Sequence, residues 1–374
     1  MPLRVAVDAT SLYGARTGIG RFTESLLTEL TTIDDLEVRA FAITWRGHED
    51  LAGLLPPGID AVPGRMAAAP LRALWQRTEH PRIERWTGQV DVVHGPNFVV
   101  PPATAARVAT VHDLTFLHHP EFCTADVLQY PRLVRRAIQR GAWIHTDSEF
   151  VRTEVIEMLG ADPDRVVAIP LGVTPPPSGA AADGRRLAGG DAFVLALGTV
   201  EPRKNLPALV DAFDLLADDD HEVRLVVAGP DGWGVAEYAA SVAGARHADR
   251  IVRLGFVSEA DRGALLAAAG AVAVPSHYEG FGLSAAEAMA AGVPVVASDC
   301  GSHREVVGDA GLLVPAWDVA GLAAALRDVL TDSSLAARLR AAGPRRAEGF
   351  SWARAASGLV ELWRRASSSR TARH

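Results

Sequence analysis

Lysine is almost absent. Lys204 is the single one in the chain, so every other one of its 37 basic residues is arginine. Two readings stand: chance composition, or a site that requires a compact ammonium rather than a planar guanidinium fork. Cysteine is scarce too. Cys123 and Cys300 are too few for a disulfide framework. Without histidines at metal spacing they are also too few for a structural zinc site. No apolar run reaches the roughly 18 residues of a membrane span. No signal peptide is expected ahead of the strand-like run Arg4–Asp8, which points to a cytoplasmic location. The net charge of −8 argues against a nucleic-acid partner. No good Asp-x-Asp metal site is present: Asp162-Pro163-Asp164 falls on a connecting turn stiffened by its proline, so no metal is expected.

What the chain has is a repeated strand–helix alternation. Its 374 residues, 48% of them hydrophobic, suit two cores. The most informative stretch is Ala271 to Asp299, AVAVPSHYEGFGLSAAEAMAAGVPVVASD. Ala271 to Pro275 reads as a buried strand, Ser276 to Gly282 as a loop, Leu283 to Ala291 as a helix, and Val293 to Ser298 as a second strand. This is the βαβ unit of a parallel sheet. Ligands of such sheets bind beyond the carboxyl ends of strands, at helix N-termini. Gly280 and Gly282 leave backbone N–H groups uncovered at that point, between Glu279 on the loop and Glu287 in the helix. The carboxylates could accept from sugar or ribose hydroxyls and the helix N-terminus could take a phosphate, which together suggest a nucleotide sugar. The alternative is an ordinary turn with two solvated acids.

The same alternation runs through the chain. After the first strand, Thr17-Gly18-Ile19-Gly20-Arg21 lies in a loop that leads to a helix over Phe22–Leu30; the loop is either a phosphate-approach loop or a flexible connector. Leu55 to Pro70 reads as a surface loop and Leu71 to Trp86 as one helix. The arginines of that helix (Arg72, Arg77, Arg82, Arg85) form a solvated face or a contact for anionic lipid. His112, followed by Asp113, sits at the end of a strand over Arg107–Val111, a place that points into the ligand crevice; the alternative is a purely structural histidine. Residues 1–173 form a first domain and 174–191 a Pro/Gly/Ala linker. A second domain spans 192–349, a helix over 350–366 crosses back to the first, and 367–374 is a disordered tail. In the second domain Arg203 and Lys204 precede a helix starting at Leu206, so two cations and a helix dipole converge: a diphosphate clamp or a solvated turn.

E-G-F-G with a second Glu eight residues after Glu279 resembles the E-x7-E motif of retaining glycosyltransferases of family 4. G-T-V-E-P-R-K-N (Gly198 to Asn205), T-G-I-G-R (Thr17 to Arg21), V-H-D-L (Val111 to Leu114) and F-S-W (Phe350 to Trp352) resemble the same family, in its order and over nearly the whole chain. Within it the chain looks most like bacterial GDP-mannose-dependent mannosyltransferases that build cell-envelope glycans. The resemblance implies the GT-B fold: α/β, with two Rossmann-like doubly wound domains facing across a cleft. The first domain would hold a glycan or lipid-linked acceptor and the second the nucleotide-sugar donor. Glu287 would bind the donor ribose and Glu279 the sugar hydroxyls. Arg203 and Lys204 would hold the diphosphate, with backbone N–H groups of Gly280, Phe281, Gly282 and Leu283. His112 would lie against the donor sugar, and Gly18 and Gly20 near the phosphates or the acceptor. Thr199 stands where some members carry an arginine, so Arg203 and Lys204 must supply the charge.

The expected chemistry is receipt of a departing diphosphate by cations and a helix dipole, with no metal and no cofactor. No nucleophile is evident on the far face of the sugar, so retention would follow same-face attack by the acceptor. Three alternatives are a UDP- or other nucleotide-linked donor, a non-catalytic nucleotide-sugar binder, and a phosphorylase using pyridoxal phosphate on Lys204.

Overall fold

The computed structural model describes residues 1–14 and 18–371. The chain divides into two compact units, Met1–Gly172 together with the chain from Ser351 onward, and Val173–Phe350.

The first unit carries strands β1 (Leu3–Asp8), β2 (Leu36–Phe41), β3 (Asp60–Ala61), β4 (Val92–Gly95), β5 (Ala106–Val111), β6 (Trp143–Thr146) and β7 (Val166–Ala168). They form a parallel sheet in the order β3-β2-β1-β4-β5-β6-β7. The second unit carries β8 (Phe193–Leu197), β9 (Arg224–Ala228), β10 (Ile251–Gly255), β11 (Ala271–Val274), β12 (Val295–Asp299) and β13 (Leu312–Pro315), parallel in the order β10-β9-β8-β11-β12-β13. Helices cover both faces, so central strands such as Val5–Val7 and Val194–Leu195 are buried and read as continuous apolar runs rather than alternating ones. Each sheet reverses its winding once, between β1 and β4 and between β8 and β11. The crevices at the carboxyl ends of those strand pairs are where such folds take ligands.

Several expected segments come out differently. The helix after β1 starts at Gly18, so Gly18 and Gly20 lie in its first turns rather than in a loop; Thr17 lies outside the described residues. The Leu55 to Pro70 segment is not a plain surface loop: it contributes β3 and buries Val62 and Met66. The single helix expected over Leu71–Trp86 is two, Ala68–Trp75 and Glu84–Thr87. Gln76 caps the first of them, and Pro81 lies in the segment between the two. The Trp75 indole, buried, donates to the Pro81 carbonyl at 3.0 Å.

The linker is not structureless either. Ala181–Ala188 is a helix packed on Glu259–Ala268. A Cβ on Gly179 or Gly184 would come within 2.2 or 2.1 Å of Ala264 backbone atoms, so these glycines serve close packing rather than flexibility. The last helix, Trp352–Thr371, packs into the first unit with Trp363 fully buried, and runs past Ser367, where disorder is expected. Once its earlier turns are anchored, adding residues requires no new nucleation, and the Ser369 hydroxyl donates to the Ala366 carbonyl at 2.9 Å.

Candidate functional site

In the second unit the loops after β8 and β11 meet. Pro202–Lys204 forms a 3-10 turn closed by Asn205, in the left-handed region at φ 50°. The Asn205 side chain donates to the Pro275 carbonyl at 3.2 Å. The Arg203 guanidinium donates to the Tyr278 carbonyl at 2.9 Å, and the His277 N–H donates back to the Arg203 carbonyl at 2.9 Å. These bonds tie together two segments 70 residues or more apart in sequence and hold both cations against one carboxylate.

That carboxylate is Glu279. Lys204 Nζ donates to its Oε1 at 2.6 Å, the Ser276 hydroxyl donates to the same oxygen at 2.7 Å, and Arg203 lies 2.8 Å from Oε2. Glu279 is 5% exposed. Burial alone would raise its pKa; the Arg203 and Lys204 charges outweigh that and hold it well below the usual carboxylate range. Arg203 is further committed to Glu201 at 2.7 Å. Lys204 uses one of an ammonium's three N–H donors on Glu279 and can offer others to a ligand. It lines a pocket at the ends of β8 and β11 with Gly198, Thr199 and Ser276.

The helix Leu283–Ala290 follows, entered through Gly282 at φ 88°. A Cβ there would lie 2.9 Å from His303 Nε2, so side chains are excluded by both conformation and space. Of the expected donor-binding stretch, Gly280 to Leu283 presents backbone at this point, whereas the Phe281 side chain is buried edge-on against Phe350, ring centroids 5.3 Å apart. Glu287, expected to face a ribose, takes a hydrogen bond from Arg262 at 2.6 Å, with both side chains 9% exposed.

Three second-unit participants escaped sequence reading. Arg262 lies in an ordinary-looking helix, and nothing in the sequence links it to Glu287. Ser276 carries no motif. His303 could have been found by the rule that selected His112, since it follows the end of a parallel strand. It is fully buried, donates from Nδ1 to the Ser298 carbonyl at 2.7 Å, and its Nε2 has no hydrogen-bond partner. Burial lowers its pKa. Cys300 is no nucleophile: burial, then the Glu279 charge, push its thiol up to about 12, and it donates to the Ser276 carbonyl.

In the first unit His112 follows β5. Its Nδ1 is 2.7 Å from Asp147 and its Nε2 is 2.8 Å from the Pro96 carbonyl. A carbonyl only accepts, and so does an ionised carboxylate, so the pair is satisfied with a proton on each ring nitrogen. Burial works against that charge, but the Asp147 charge and hydrogen bond, then Pro96, prevail and raise the His112 pKa. So placed, both ring nitrogens of His112 are occupied, by Asp147 and by the Pro96 carbonyl. His94 and His145, both fully buried beside it, are pushed down chiefly by burial.

The sign follows. A raised folded pKa contributes stability that is complete below the unfolded value of about 6.5 and is lost as pH rises through the raised value. Asp147→Asn should therefore lower the melting temperature most near pH 6, with the deficit shrinking toward pH 9. A deficit that does not vary with pH in melting curves would contradict a charged His112. His118 and His119 form no joint site: His118 pairs with Glu154 at 2.6 Å and His119 with Glu121 at 3.2 Å. Among the described residues no group of three or more His, Cys, Asp or Glu is placed to hold a metal ion.

Comparison with known proteins agrees with this architecture. Residues 182–346 match the model of glycosyl transferases group 1, and residues 16–175 match that of Glycosyltransferase Family 4. The chain is 33% identical to O-antigen chain mannosyltransferase B of Escherichia coli over 77% of its own length and 78% of that protein. It is 38% identical to a D-inositol 3-phosphate glycosyltransferase of Kineococcus radiotolerans over 61% of its own length and 58% of that protein. Among solved structures, sucrose-phosphate synthase from Thermosynechococcus elongatus superposes with a TM-score of 0.75 at 19% identity, covering 97% of this chain and 98% of the other. The chain therefore belongs to glycosyltransferase family 4 and is a hexose-transferring enzyme of the GT-B fold.

Proposed function

We propose that the enzyme transfers mannose from GDP-mannose to a hydroxyl of a glycan, lipid-linked or small-molecule acceptor, with retention at the anomeric carbon and without a metal ion. The observation that carries the reading is the Lys204–Glu279–Arg203 cluster at the start of the Leu283–Ala290 helix. Lys204 and the helix N-terminus receive the diphosphate as its negative charge grows, with Arg203 fixing Glu279 and adding its charge. Glu279, kept ionised by its two cations, accepts from sugar hydroxyls. Glu287 binds the ribose, with Arg262 orienting its carboxylate. His112 lies against the donor sugar, and the helix start at Gly18 and Gly20 lies near the phosphates or the acceptor. The mannosyl group and the cell-envelope role are supported by the similarity to O-antigen chain mannosyltransferase B. The similarity to a D-inositol 3-phosphate glycosyltransferase favours a small phosphorylated acceptor as the second reading.

No helix among the described residues is long and apolar enough to cross a membrane. A cytoplasmic enzyme whose first unit touches anionic lipid through exposed arginines near Trp86 is part of the same proposal.

Thermal denaturation with GDP-, UDP-, ADP- and dTDP-linked sugars, each with and without EDTA, tests the donor. A ligand at a hundred times its Kd stabilises the folded state by about 2.7 kcal/mol, so GDP-mannose should raise the melting temperature by several degrees and the others should not. A shift with a UDP-sugar alone would replace the donor; a GDP-mannose shift abolished by EDTA would disprove metal independence. Binding without any transfer to acceptor would mark a non-catalytic binder.

A further inference from the structure

The turn after β12 carries a histidine for which the transfer has no use so far. His303 opens the short helix His303–Val306 and is fully buried. Its Nδ1 donates to the Ser298 carbonyl, so the neutral ring carries its lone pair on Nε2. That nitrogen has no hydrogen-bond partner among the described residues. It lies behind Gly282, through which the chain enters Leu283–Ala290: a Cβ on Gly282 would come within 2.9 Å of Nε2 and 2.8 Å of the adjoining ring carbon Cδ2. The same segment grips the loop that carries Glu279. The Ser302 N–H donates to the Glu279 carbonyl at 3.0 Å, and a Cβ on Gly301 would lie 2.1 Å from that oxygen. The imidazole is therefore locked against the helix start, with no Gly282 side chain to hold it away.

Charged and titratable groups face this ring from three elements. Lys204 and Arg203 stand on the turn after β8 and Glu279 on the loop after β11. Asp299 ends β12, Cys300 follows it, and Arg304 and Glu305 share the helix of His303. Asp299 and Arg304 pair with each other at 2.6 Å, and Cys300 keeps its proton. Lys204 and Arg203 are matched by Glu279 and Glu201, so these cations and carboxylates balance. A diphosphate diester, ionised on both phosphates, thus meets no net side-chain charge there, only the partial charge of a helix start. Resting His303 adds none: burial foremost, with the nearby cations, outweighs Glu279 and the Ser298 carbonyl and favours the neutral ring. An anion seated on the other side of Gly282 would favour the charged ring instead.

We infer that His303 is a positioning residue that takes up a proton when the nucleotide sugar binds. The Nδ1 proton stays on Ser298, a proton from solvent goes to Nε2, and the imidazolium supports the helix start that receives the diphosphate. It does so across Gly282, without touching the ligand. The inference rests on the transferase reading above and deepens it: the site gains a third cation only while the donor is bound.

Titration calorimetry of the full chain with GDP-mannose at pH 7, in buffers of different ionisation heat, measures the uptake. GDP-mannose is chosen over GDP because its diphosphate has no group titrating near neutrality; UDP-glucose replaces it if it does not bind. Binding should take up about 0.3–1 proton, and Kd should rise by up to about 10-fold per pH unit above neutrality, since the complex holds the proton more tightly. His303→Asn keeps a donor for Ser298 and cannot charge, and His303→Leu removes both. In either variant that melts like the parent, most of the uptake and of the pH slope should disappear. If neither folds, nitrogen-15 histidine NMR of the parent decides: Nε2 protonation on adding donor supports the inference, and an unchanged neutral ring overturns it. No uptake by the parent, or the same uptake in a folded variant, also overturns it. Weaker binding by one factor at every pH, with uptake intact, would make His303 merely structural. Binding without uptake removes this inference alone; no binding by any nucleotide sugar removes the donor reading with it.

Discussion

Lys204→Ala should slow transfer roughly 10–150-fold, with the loss mainly in kcat. A hydrogen bond to a charged group contributes about 1.5–3 kcal/mol. In the proposed role its interaction with a departing diphosphate would strengthen as charge develops, so its removal would cost the transition state more than the bound donor. Lys204→Arg should recover little, because a planar fork does not replace a compact charge in a turn already holding Arg203. The substitution also removes one of Glu279's ion pairs, but Arg203 at 2.8 Å and the Ser276 hydroxyl at 2.7 Å remain, so the fold should survive. Steady-state kinetics with a melting curve on the same sample decides this. Unchanged kcat in a normally folded variant removes Lys204 from the chemistry.

Glu287→Ala should cost more in stability than its place in a ligand motif suggests. It strands the Arg262 guanidinium, whose side chain is 9% exposed. Breaking a buried pair from one side typically costs about 3–5 kcal/mol. Arg262 keeps a second carboxylate, Glu259 at 3.1 Å on the more exposed side, so the lower end is expected. Replacing both partners, Arg262→Met with Glu287→Leu, should recover most of that loss, since neither charge is then stranded. The ribose role needs a gentler change: Glu287→Gln keeps the shape and should raise the donor KM several-fold with kcat little altered. Full stability of Glu287→Ala in chemical denaturation would show that the Arg262 pair contributes nothing. A normal donor KM in Glu287→Gln would show that the carboxylate does not bind the donor.

Glu279 illustrates how a motif and its setting divide. The E-x7-E spacing puts both glutamates beside one helix start, as any reader of the βαβ pattern would place them. Spacing says nothing about which cations they meet. Glu279 meets the two that follow β8, because β8 and β11 are neighbours in the sheet although 75 residues separate Lys204 from Glu279. Glu287 meets Arg262 because Glu259–Ala268 and Leu283–Ala290 flank β11. The same limit explains Arg72: in sequence it is one of a run of arginines, and only the docking of Ala68–Trp75, a helix that ends at Trp75, brings it to the β1–β4 crevice.

By itself the sequence determined the alternation of buried parallel strands and covering helices, because strands buried on both faces must be continuously apolar. It also determined the loops where charge and glycine gather, because turns need those residue types locally. Tertiary structure alone decided which charges are paired, which histidine nitrogens face acceptors, and that the linker glycines serve packing. Those depend on strand order and on contacts between segments far apart in the chain, which local periodicity and composition do not encode.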